Sequence, residues 1–119
     1  MNDAIDRHHT NARMSKIVRH GGLIYLCGQT AAGSAATEIA DQTREVLSRI
    51  DALLAEAGSD RTRLISALIH LKSMGDFAAM NAVWDDWVPP GTAPARTTVQ
   101  AQLAWPGLLV EITVAAAGI

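Results

Sequence analysis

Aromatic side chains are scarce in this 119-residue chain, at 4% of the total. Cysteine occurs once, at Cys27, so no intrachain disulfide can form and a reducing compartment fits best. No apolar run approaches the roughly 18 residues of a membrane span. The start, Met1-Asn2-Asp3-Ala4-Ile5-Asp6-Arg7-His8-His9, is polar and unlike a secretory signal, so a cytoplasmic location is expected. Basic residues do not dominate: ten Lys and Arg against twelve Asp and Glu leave a formal net charge of −2. That argues against a general electrostatic grip on nucleic acid or anionic lipid and leaves a local basic pocket open. A phosphate loop, a glycine-rich dinucleotide fingerprint and a nucleophile elbow are all missing. His8 and His9 lack companions at metal-ligand spacing, so neither a metal nor a cofactor is expected.

What is there is a chain with 49% hydrophobic residues, many of them alanine. The length suits one domain over residues 1–119. Small side chains give thin packing, which predicts that buried subunit contacts add stability. Residues 1–13 are polar and aperiodic and read as a loose arm. Lys16 to His20 and Leu23 to Gly28 read as strands around a Gly21-Gly22 turn. From Thr37 to Ala57 the residues Ile39, Thr43, Val46, Leu47, Ile50, Leu53, Leu54 and Ala57 form one helical stripe. Thr37 is the candidate N-cap and Gly58 the stop. Leu64 to Lys72 alternates as a strand, with Ile65, Ala67, Ile69 and Leu71 toward a helix. Asp76 is expected to cap a second helix that ends near Val88 before Pro89-Pro90. Thr97 to Leu103 and Leu108 to Ala116 read as a final hairpin turning at Trp105-Pro106. The order β-β-α-β-α-β-β predicts an α+β domain, one sheet with both helices on one face. Thr98, Gln100, Gln102, Glu111 and Thr113 then mark the other face as semi-polar, suited to a wet interface between subunits.

Two residues stand out chemically. Arg96 follows Pro94-Ala95 at a strand start, and its planar fork fits a carboxylate. Glu111 lies within Leu108-Leu109-Val110-Glu111-Ile112, and a charge on an apolar strand needs a partner or a task. Each also has a plain reading as a salt-bridge member. In a tight hairpin Gln100 would face Glu111 and leave Arg96 on the order of 13 Å away. Contact across a subunit boundary is therefore easier than within one chain. Cys27 closes an apolar strand and reads as an inert thiol. His20 and His70 read as satisfied polar residues, and Trp84 and Trp87 as core. Asn81 either caps a loop or lines a pocket.

Pro94-Ala95-Arg96-Thr97-Thr98-Val99, followed by Val110-Glu111-Ile112, resembles the RidA (YjgF) family of imine/enamine deaminases. Cys27-Gly28-Gln29, Glu56-Ala57-Gly58 and Asp76-Phe77-Ala78-Ala79-Met80-Asn81 match in place. The resemblance implies a chorismate mutase-like fold and a homotrimer with a barrel-like centre and clefts between subunits. It implies that Arg96 grips the carboxylate of a 2-imino or 2-enamino acid, and that Glu111 activates the water that releases ammonia and leaves a 2-oxo acid. Cys27, Asn81, Thr98 and Met14 would line the cleft. Here Met14 stands where many members carry a tyrosine, Cys27 where they carry serine, and Thr98 where they carry cysteine. The alternative is a binding or sensor protein that holds a small carboxylate in the same cleft without turnover. Neither reading calls for nucleic acid or membrane.

Overall fold

A computed structural model of the chain describes residues 4–119. Six strands form one sheet: β1 (Asp6–Thr10), β2 (Ser15–His20), β3 (Leu23–Leu26), β4 (Leu64–Leu71), β5 (Ala95–Gln100) and β6 (Val110–Ala117). Two helices, α1 (Ile39–Ala57) and α2 (Phe77–Trp87), cover one face. The strand order across the sheet is β1-β2-β3-β6-β4-β5. Every pairing is antiparallel except β4 with β5, which run parallel on either side of α2.

The core lies between helices and sheet. Strand β6 alternates buried with half-buried residues, placing Val110, Ile112, Val114 and Ala116 under the helices. Such alternation follows from the two-residue period of a strand. Val46, Leu47, Ile50 and Leu54 of α1 meet that layer, each at most 2% exposed. Truncating one of these to Ala costs about 2–5 kcal/mol by the usual cavity argument. Gly58 ends α1 at φ 82°, a left-handed turn that glycine enters without penalty. The Ser59 N–H then donates to the Leu54 carbonyl at 2.8 Å. Trp84 and Trp87 are buried as expected, 5% and 8% exposed.

Several expectations are corrected. The described part of the arm, residues 4–13, contains β1, an edge strand paired with β2; residues 1–3 lie outside the described residues. Polar composition hid it, because every β1 side chain is exposed. His9, at φ 54°, leaves the strand line and its Nε2 meets Glu56 of α1 at 2.5 Å. Helix α1 starts at Ile39 rather than Thr37, with Glu38 at the cap position and no side-chain cap. Asp76 makes no cap bond to α2 either; the turn before it is held by Ser73 Oγ, which accepts from Gly75 N. A register shift between Leu64 and Ser66 buries Leu64 and leaves Ile65 46% exposed.

The largest correction concerns the last two strands. They form no hairpin. Strand β4 lies between them, so Gln100 pairs with Leu71 and Glu111 pairs with His70. A nine-residue connection lets the chain cross over β4 instead of folding back on itself. Gln42 secures that crossing from α1. It is 2% exposed, and its Nε2 donates to the Gly107 carbonyl at 2.7 Å while its Oε1 accepts from Leu109 N at 2.8 Å.

Candidate functional site

Strand register assigns each candidate to a face. Arg96 pairs with Ala67, which pairs with the buried Val114, so Arg96 projects on the helix side. Glu111 falls between the buried Val110 and Ile112 and projects on the open side. The two residues therefore lie on opposite faces of the sheet, and one chain does not bring them together.

Arg96 has a built surrounding. Its guanidinium carbon lies 5.4 Å from the centre of the Trp84 ring and 5.9 Å from that of Phe77. Phe77, Asn81 and Trp84 are four and three residues apart on α2, so they share one stripe. Thr98 follows Arg96 by two residues and shares its face. Asn81 Oδ1 and Thr98 Oγ1 are both buried without a hydrogen-bond partner among the described residues. Unpaired buried polar atoms are rare and call for an explanation. The Arg96 side chain also forms no ion pair or hydrogen bond among the described residues. Arg96 thus keeps its N–H donors free beside two rings of α2, while an amide oxygen on the same helix stripe and a hydroxyl on the same strand face are also unpaired.

Glu111 has a different setting. A β-carbon on Gly28 would sit 2.7 Å from Glu111 Oε2 and 3.1 Å from Thr113 Oγ1. The missing side chain is what gives the carboxylate its place. Gln29 locks the segment to β6 by reciprocal backbone bonds with Ile112, 2.9 and 3.0 Å long. The Gln29 side chain also donates to Cys27 Sγ at 3.2 Å. Burial pushes the Cys27 thiol above its ordinary value, Lys16 partly opposes the rise, and Glu111 adds to it. Met14 sits at the tip of the β1–β2 hairpin, where Asn11 Oδ1 accepts from Met14 N at 3.1 Å. That tip lies at the end of the sheet where β3 runs into Cys27 and Gly28. His70 lies across from Glu111 on the neighbouring strand, and its buried Nδ1 has no partner among the described residues, contrary to a satisfied histidine.

Comparison with known proteins follows the same elements. The family model described as Endoribonuclease L-PSP matches residues 4–118. The RutC family protein YoaB of Escherichia coli is 42% identical over 113 residues, 95% of this chain and 97% of the relative. A crystal structure of a YjgF family member from Neisseria meningitidis superposes with a TM-score of 0.94 at 43% identity, covering 98% of this chain and 97% of that one. The chain belongs to the RidA/YjgF family. A RutC family protein of Haemophilus influenzae is 40% identical over 112 residues, covering 94% of this chain and 97% of the relative.

In this RidA/YjgF chain the candidate residues thus separate into two groups. Arg96 and Thr98 share the helix-side face of β5, and Asn81 lies on the α2 stripe whose rings Arg96 approaches. Glu111 and Cys27 meet near the end of β3, with Met14 at the neighbouring hairpin tip. Sequence reasoning missed three contributors. Phe77 and Trp84 carry the ordinary helical signature of core residues, and only the fold reveals the arginine over their rings. Gly28 looks like any glycine after a strand until the Glu111 carboxylate is seen beside it.

The open face also differs from expectation. Thr98 and Gln100 belong to the helix side, because β5 pairs with β4 and not with β6. The open face instead exposes Leu23, Tyr25, Leu68 and Val99 around Glu111 and Thr113. A groove of about 440 Å³ runs across it, lined by Tyr25, Ser66, Leu68, Thr97, Thr113 and Ala115 among others. Among the described residues no helix is long and apolar enough to cross a membrane.

Proposed function

We propose that this protein is a cytoplasmic homotrimer that hydrolyses reactive 2-imino or 2-enamino acids to 2-oxo acids and ammonia in clefts between subunits. The observation that carries the reading is the unpaired Arg96 guanidinium over the Trp84 and Phe77 rings, with the orphan Asn81 and Thr98 oxygens on the same helix stripe and strand face. A guanidinium with its N–H donors free suits a planar carboxylate. The family resemblance supports the same role.

Each cleft takes its two halves from different chains. One chain supplies Arg96, Asn81 and Thr98 at its sheet edge. The next supplies Glu111 and Cys27 around Gly28, with Met14 at the rim. The opposite facing of Arg96 and Glu111 supports this division. The apolar open face supports an assembly that covers it, since exposed apolar patches commonly mark interfaces. With the carboxylate pinned, Glu111 takes a proton from water as it attacks the imine carbon. The carbon–nitrogen π pair moves to nitrogen, which takes the proton held by Glu111, giving a carbinolamine and restoring the carboxylate. Proton transfer from its hydroxyl to nitrogen then expels ammonia and leaves the carbonyl. RNA cleavage, suggested by the name of the family model, is less well supported by a net charge of −2.

A coupled assay with freshly generated 2-imino acids tests the reading on the wild type, Arg96→Ala and Glu111→Gln. Arg96→Ala should lose carboxylate binding by about 2–5 kcal/mol. Glu111→Gln should keep binding but lose turnover by about 10²–10⁴. Absence of wild-type turnover across several imino acids, with binding intact, would favour the alternative of a carboxylate-binding or sensor protein.

A further inference from the structure

Arg96 is held by two aromatic rings where an acidic partner would be usual. We infer that Trp84, assisted by Phe77, is a positioning residue that orients the Arg96 guanidinium and keeps its charge available for the ligand; this rests on the carboxylate-site reading above. A neighbouring Asp or Glu would fix the arginine equally well, but would occupy the N–H fork and compete with an incoming carboxylate. An aromatic face attracts the cation through the flat side of the guanidinium. The N–H donors lie in the guanidinium plane and stay free for a bidentate carboxylate.

The Trp84 ring is itself fixed. It packs against Trp87 with ring centres 5.5 Å apart and planes tilted by 46°. Trp87 Nε1 donates to Asp51 Oδ2 at 3.0 Å. Arg61 covers the Trp87 ring at 5.1 Å and binds the same carboxylate oxygen at 2.5 Å. A chain of rings and charges thus runs from α1 through α2 to the arginine on the sheet edge.

Pyruvate, a stable 2-oxo acid, serves as the probe. Its Kd is measured by calorimetry on the assembled wild-type protein and on Trp84→Phe, Trp84→Leu and Phe77→Leu. Trp84→Phe keeps a ring and should bind within about threefold of wild type. Trp84→Leu should weaken binding about tenfold, raising KM while leaving kcat at saturation little changed. Phe77 is 37% exposed, so Phe77→Leu spares the core, and it should weaken binding about threefold even where Trp84→Leu fails to fold. Pyruvate should also change tryptophan emission in wild type and in Trp105→Phe, and not in Trp84→Phe. Wild-type affinity in Phe77→Leu together with a persistent emission change in Trp84→Phe would overturn the inference alone. No pyruvate binding to the wild type would remove the carboxylate-site reading and the inference with it.

Discussion

Arg96 and Glu111 project from opposite faces of one sheet, with strand β4 between the strands that carry them. The proposed reaction, which needs both, draws them from two chains. Co-refolding Arg96→Ala with Glu111→Gln should therefore restore activity that neither variant has alone. Random mixing should recover about a quarter of wild-type turnover, the share of clefts that take each intact residue from a different chain. Mixed assemblies that stay inactive would mean that one chain supplies both groups.

A side chain at Gly28 should displace Glu111 without unfolding the chain. A β-carbon there would contact the Glu111 carboxylate, the far end of a flexible side chain, so the carboxylate would move at small cost. Gly28→Ala should fold normally and bind pyruvate through Arg96, yet lose about 10²-fold in turnover, as expected for a misplaced catalytic group. Thermal melts and steady-state kinetics on the same preparation separate the two effects.

Burial raises the Cys27 thiol above its ordinary value, so at neutral pH it is protonated and a poor nucleophile. Iodoacetamide should modify it more slowly than free cysteine, with the rate climbing only as pH rises past the ordinary thiol range. Cys27→Ser should keep most activity. A loss beyond about a hundredfold would place the thiol in the mechanism.

Gln42 joins the start of α1 to the loop that leads into β6. Gln42→Ala would leave the Gly107 carbonyl and the Leu109 N–H without their partner. A stability loss of about 1–3 kcal/mol is expected from such orphaned groups. Urea denaturation measures it, and an unchanged midpoint would show that water replaces the amide without cost.

Much of the fold was legible in the residues. The α1 stripe, the Gly58 stop, the buried tryptophans and the alternation of β4 beyond Ala67 all reflect local periods that a sequence carries openly. Strand β1 was not legible, because an edge strand with every side chain exposed shows no apolar alternation. The bulge at Ile65 was not legible either, since one inserted residue reverses the facing of its neighbours without altering composition.

The sequence by itself determined which residues could carry chemistry: an arginine after a proline, a glutamate on an apolar strand, and the motif spacing that marks the family. Only the tertiary structure decided how they are arranged. Strand pairing is non-local, and nothing within β5 or β6 states that β4 will lie between them. That one pairing assigned Arg96 to the helix side and left Glu111 on the open side beside Gly28. Residue type sets what a group can do, whereas register sets which groups meet, because shifting or exchanging a strand turns side chains to other faces and other neighbours.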